Sequence, residues 1–197
     1  MRLIVLIFII CIFIIILFNI YNKNMTYIKS DIDNRYYLVR NLYDKQIACN
    51  ILAYNREKII KLIEYLKLNK NKYKDFELNI DRLNKKIENL TISENNDNNN
   101  DTSYSINKGD ELVVCLRSKI NWNNFHDLNM IFYVILHELS HIASPEYEEE
   151  YNNHGPIFKK IFTFLTNIAI ENNLYIKIDF NKEPREYCGM YITYSII

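Results

Sequence analysis

The sequence predicts a single α+β domain behind an apolar N-terminal helix, and three features carry that reading. Helical periodicity fills the middle and the later part of the chain. A short β-branched run interrupts it, and the first eighteen residues are almost wholly apolar. A chain of 197 residues that is 49% hydrophobic can bury one substantial core, which argues for one compact unit plus whatever lies outside it.

The apolar segment comes first. Every residue from Leu3 to Phe18 is apolar, close to the shortest stretch that spans a bilayer, about 17 residues. The rival reading is a cleaved signal peptide, with Arg2 as its charged start. The residues that follow, Phe18-Asn19-Ile20-Tyr21, lack the small side chains of a cleavage site, so residues 1–21 are expected to be a single-pass membrane anchor. Basic residues are nearly balanced across it, so the sequence leaves open which side of the membrane holds the domain. Residues 22–34 then read as a juxtamembrane linker, and 35–197 as the folded domain.

Within the domain, Leu38, Leu42, Ile47, Ile51, Leu52, Ile59, Leu62, Ile63 and Leu66 recur at helical steps, predicting helix over 36–69 with a break near Asn55. A weaker helical pattern covers 76–90. The polar run SENNDNNNDTS at 93–103 predicts a flexible loop over 92–103, inside the domain. After Lys108-Gly109-Asp110 the apolar run at 112–116 reads as a strand, and as a candidate edge on which an extended peptide could dock. A long apolar helix follows from Asp127, its cap, to Ala143, ended by Ser144-Pro145. Pro156 opens another helix, with Phe158, Ile161, Phe162, Leu165 and Ile168 as its core face. Short strands are expected near 175–180 and 190–194.

Charge and cysteine usage narrow the function. Lys+Arg 24 against Asp+Glu 24 leaves no net charge, so there is no strong nucleic-acid signal. The basic excess over 56–88 reads as a solvated helix face. Cys11, Cys49, Cys115 and Cys188 never fall at CxxC spacing, which argues against a thiolate metal site. An odd three outside the apolar segment favours reduced thiols.

The chemistry concentrates in His137-Glu138-Leu139-Ser140-His141. Side chains four apart share one helix face, about 5–6 Å apart at Cβ, so two imidazoles can reach one metal ion. Glu138 is turned one step round the helix, where it can act on a water rather than ligate. Buried polar groups in so apolar a helix need a polar partner, and a metal ion supplies one. A catalytic zinc site takes three protein ligands, and His154 is the candidate third. Glu146 and Glu148–Glu150 are its rivals. His126, ahead of the helix, reads as a surface or capping residue. The metal bonding expected is therefore Zn2+ on His137, His141 and His154, with Glu138 as general base.

These residues resemble a known family. HELSH at 137–141, His154-Gly155-Pro156 with Phe158, the block at 102–109, LVVCLR at 112–117 and Glu186-Tyr187-Cys188-Gly189-Met190 are similar to WLM and SprT-like zinc metallopeptidases, above all the WLM-type proteins of large DNA viruses. The likeness covers roughly 35–197, and the spacing of the third histidine is nearer the SprT-like pattern. It implies a zincin-like α+β fold, zinc on the three histidines, Glu138 as base, and a protein or peptide substrate. The expected function is a membrane-anchored zinc metallopeptidase. The alternative is a catalytically inactive zinc-binding membrane or virion structural protein, for which Glu138 would have no purpose.

Overall fold

The computed structural model describes residues 6–14, 24–96, 102–121, 124–145 and 154–197. Alternation rather than helical periodicity governs the start of the domain. In Tyr36-Tyr37-Leu38-Val39-Arg40 every second side chain is buried, and Tyr37 and Val39 enter the core. These residues form strand β2 (Tyr36–Arg40), paired antiparallel with β1 (Met25–Lys29). The helix expected over 36–69 is thus a strand followed by α1 (Lys45–Leu68), and β1 lies in the stretch expected to be linker. Asn55 does not break α1. It is fully buried, and its Nδ2 donates to the Ile51 carbonyl one turn back.

Two short 3-10 turns lead into α2 (Glu77–Ile87), which packs on α1. The next sheet has the order β3-β5-β4, from β3 (Thr91–Glu94), β4 (Tyr104–Ile106) and β5 (Glu111–Val114). β5 therefore has a neighbour on each side, parallel β3 and antiparallel β4, and is not the open edge expected of the 112–116 run. The flexible loop expected over 92–103 is likewise narrower. Ser93, Glu94 and Asn95 are buried, and only 97–101 of that stretch lie outside the described residues. A polar run stays ordered here because its polar atoms have partners, as Glu94 illustrates.

The Glu94 carboxylate accepts from Arg117 Nε at 2.7 Å and from the Arg40 backbone N–H at 2.7 Å. Arg117 Nη1 donates to Asp44 at 2.6 Å, and its guanidinium lies 4.1 Å above the Phe125 ring. All three charged side chains are nearly inaccessible. Asp44 precedes α1 but makes no side-chain cap bond there, so its carboxylate serves the ion pair instead. The triad ties the start of α1, β3 and the end of β5 together.

The last two helices, α3 (Leu128–Ala143) and α4 (Pro156–Glu171), pack against each other. Asp127 caps α3 as expected, accepting from the N–H groups of Asn129 and Met130, and Pro156 occupies the first turn of α4. At the far end of α3, Asn79 and Arg82 of α2 donate to the Ala143 carbonyl. No strand forms at 175–180, because side chains take up its backbone groups: Asn129 bonds both N–H and C=O of Ile176, and Ser195 accepts from Phe180 N–H. The chain closes with the hairpin β6 (Arg185–Tyr187) and β7 (Met190–Ile192).

A disulfide joins Cys115 to Cys188 across 73 residues, with Cα atoms 6.1 Å apart, which overturns the expectation of reduced thiols at these positions. Closing a loop of that length stabilises the fold by about 4 kcal/mol in the chain-entropy account. Cys49 is free and buried.

The membrane anchor expected over 1–21 is also corrected. Its described part, residues 6–14, is helical but reaches only about 14 Å at 1.5 Å per residue, under half of a hydrocarbon core about 30 Å thick. No helix among the described residues is long and apolar enough to cross a membrane, so neither the single-pass anchor nor the membrane localisation built on it stands. Residues 1–5 and 15–21 of that expectation lie outside the described residues.

Removing Arg117 leaves two buried carboxylates facing each other without a cation. Arg117→Leu is expected to lower unfolding stability by about 3–5 kcal/mol, read as a shift of the urea midpoint at unchanged slope.

Candidate metal centre

Burial of α3 on nearly every side sets the terms for its polar residues. Met130, Ile131, Phe132, Ile135, Leu136, Leu139 and Ile142 fill the core, while His137 and His141 stand four apart on the remaining face. His154, just ahead of α4, comes over that face. His137 Nε2 lies 3.2 Å from His141 Nε2 and 3.1 Å from His154 Nε2, and one ring nitrogen from each of the three falls within 4.8 Å of the others. Among the described residues this is the one cluster of metal-ligating side chains, and it is the trio read from the sequence. The rival glutamates at 146 and 148–150 lie outside the described residues.

The donor chemistry of the cluster favours a cation. Nε2 of His137 carries either one proton or one lone pair, yet it faces two neighbouring nitrogens, so both contacts cannot be ordinary hydrogen bonds. An ion accepting a lone pair from each ring resolves the conflict. At Zn–N bonds of about 2.0–2.1 Å, tetrahedral ligand nitrogens stand about 3.3 Å apart, close to the two short separations here.

Phe158 of α4 is the common floor. Its ring centroid lies 4.9 Å from that of His137, 4.3 Å from His141 and 4.9 Å from His154. Phe162 adds an edge contact to His137. Desolvation by these walls, reinforced by repulsion between the rings, holds the His137 imidazolium down to about 3 and that of His141 to about 4. His154, the most exposed of the three, is lowered in the same direction by its partial burial, and the Lys159 charge adds to the effect. The rings are thus neutral at pH 7, as metal ligation requires.

Glu138 is 7% exposed and borders the same cleft. Burial alone pushes its carboxyl up to about 8. Complete burial raises the Tyr187 phenol, the nearby Glu138 charge adds to the effect, and the hydroxyl is 2.6 Å from Ser103 Oγ. His126, expected to be a surface or capping residue, is buried. Its ring packs on Tyr187 at 4.7 Å and its Nε2 accepts the Cys188 N–H at 3.1 Å, which fixes the hairpin beside the site.

A cleft of about 450 Å³ opens beside the histidines, bounded by α3, α4 and the segment from Met190 to Ile196. The sequence singled out the three histidines and Glu138, which the fold brings to one cleft, but Phe158 read as ordinary core and the terminal segment had no part in the site. The signals lay in the His-Gly-Pro-x-Phe spacing and in the Glu186–Met190 block.

Comparison with known proteins adds a relative without adding an activity. No family model matches the chain, and no solved structure matches it. A protein of Acanthamoeba polyphaga mimivirus, "Uncharacterized protein R325", is 41% identical over 172 residues, which cover 87% of this chain and 84% of the mimivirus protein. At that identity and coverage the two share one fold and one ancestry, and the chain belongs to the family of this mimivirus protein.

Proposed function

We propose that the chain is a zinc-dependent metallopeptidase of the WLM and SprT-like kind, with zinc on His137, His141 and His154 and Glu138 as general base. The observation that carries the reading is the convergence of three neutral imidazole nitrogens within 4.8 Å, beside a buried carboxyl one residue along the helix. A purely structural zinc site has no use for a carboxyl in that position, whereas hydrolysis of an amide requires one.

The chemistry such an ion supplies when bound is Lewis acidity, which polarises a carbonyl and lowers the pKa of water. The remaining work falls to side chains. The histidines, fixed by α3 and by the Phe158 floor, hold the ligand face rigid. Glu138 removes a proton from the attacking water onto a carboxylate oxygen, then delivers it to the leaving amide nitrogen as the C–N bond breaks. β4 forms one edge of the three-stranded sheet and suits backbone pairing with an extended peptide better than the central β5.

The direct test is cleavage of casein or an unfolded peptide mixture by the zinc-loaded chain, with Glu138→Gln alongside. The variant is expected to keep its zinc, measured by atomic emission, and to lose about 10²–10⁴-fold in turnover. Equal turnover by both proteins would remove the mechanism. For His154→Ala, zinc per chain is expected to fall well below that of the parent after dialysis against a weak chelator. Undiminished zinc would dismiss His154 as the third ligand.

The raised Glu138 pKa also makes a thermodynamic statement. In the metal-free protein the folded state binds this proton more tightly than the unfolded chain does, so its stabilising effect is complete below about 4.5 and is lost as pH rises through about 8. Metal-free Glu138→Gln is therefore expected to gain stability relative to the parent between pH 4.5 and 9, by an amount on the order of a few kcal/mol. A stability difference that stays flat across that range in thermal scans would show that Glu138 ionises freely.

A further inference from the structure

We infer that the cleft beside the histidines is a specificity pocket for a bulky apolar side chain, contributed by the substrate residue that flanks the scissile bond; this rests on the peptidase reading above. The pocket adjoins His137, Glu138 and His154, so a side chain seated in it belongs to a residue next to the reacting amide. Its volume of about 450 Å³ falls in the range of cavities that enclose small ligands. Val134 stands one turn ahead of His137 and Glu138 on α3, and Phe162 of α4 also lines the cleft. The charged or titratable groups facing the cavity are His137, Glu138 and His154 of the site, Lys159 at the exposed start of α4, and phenols.

The remaining wall is an unusual surface. Met190, Tyr191 and Tyr194 all line the cavity, yet they are 52%, 60% and 63% exposed. Large apolar side chains clustered round the mouth of one cleft mark a binding surface rather than scattered exposure. The backbone that carries them is held in place. Ile196 N–H donates to the Tyr133 hydroxyl at 3.0 Å, Ser195 Oγ donates to the Ile178 carbonyl at 2.9 Å, and Cys188 is bonded to Cys115. A wall fixed before the ligand arrives loses little freedom on binding, which is what selectivity by shape requires.

The experiment uses the full chain in two measurements. Zinc-loaded protein is given an unfolded protein mixture, and the new termini are identified by mass spectrometry. Phe, Leu, Met and Tyr are expected at one flanking position at least about tenfold more often than Asp or Gly, in line with what an apolar pocket discriminates. In parallel, metal-free protein is titrated with a hexapeptide amide carrying a central Phe and with its Asp counterpart, by equilibrium dialysis. The Phe peptide is expected to bind about tenfold more tightly. Val134→Trp, which fills the cavity, is expected to bring both ratios to within about twofold. Tyr194→Ser serves as a second variant, because so exposed a side chain is not needed for folding, and it is expected to weaken both preferences. Cleavage without preference at either flanking position, together with equal binding of the two peptides, would overturn the pocket and leave the peptidase reading intact. Preferential binding of the Phe peptide with no cleavage by the zinc-loaded chain would keep the apolar site and remove the peptidase reading.

Discussion

Three imidazole nitrogens held within 4.8 Å of one another in a largely apolar cleft cannot all carry protons, and much of this structure follows from that constraint. Water is displaced from the rings of His137 and His141 by Phe158 and Phe162, so charging either is costly, and a charge on His154 raises the cost for both. The cluster therefore exists as neutral donors with lone pairs to spare. Such a group is poorly satisfied alone, since three rings turned toward one point have too few protons for mutual hydrogen bonding. It is stable in a folded protein only when the surrounding scaffold over-determines it, and the scaffold here does so from several directions.

Two of these supports are particularly strong. The Arg117 guanidinium, inaccessible to solvent, holds Asp44 and Glu94 and so fixes the head of α1 against the sheet on which α3 rests. The second is the closing hairpin, fastened by the Cys115–Cys188 bond, by the Cys188 N–H to His126, and by Tyr187 against Ser103. Buried ionic groups contribute little net stability over an apolar replacement, but separating their members is costly because it leaves uncompensated charges buried. That fits a role in setting where the elements lie rather than how tightly the core packs.

The parts legible in the sequence were those with a short-range signature. Spacing of four in His137 and His141, the Asp127 cap and Pro156 at a helix start are local patterns, and each sits where local rules put it. His154 was legible because a metal on the other two would call for a third donor and few histidines were on offer. What escaped were features that depend on partners distant in sequence. Tyr36–Arg40 fits a helical repeat on paper, yet pairing with Met25–Lys29 makes it a strand. Glu94 looks like part of a polar tract until Arg117, 23 residues on, is brought against it. Nor does spacing reveal that Cys115 meets Cys188, or that His126 turns inward to receive a backbone N–H. The apolar N-terminus misled for the opposite reason: its composition says much about hydrophobicity and nothing about the length of helix actually formed among the described residues.

Gly109 shows how far the influence on the histidines extends. It sits in the left-handed region at φ +98° in the turn between β4 and β5, and a Cβ there would come within 3.0 Å of two side-chain atoms of Ile142. Ile142 is the residue after His141 and is itself nearly inaccessible, with no room to retreat. A side chain at 109 would press on Ile142 in the last turn of α3, beside His141. A turn outside the three histidines is thereby tied to the helix that carries two of them, and the absence of a side chain at position 109 is part of what lets the end of that helix lie where it does.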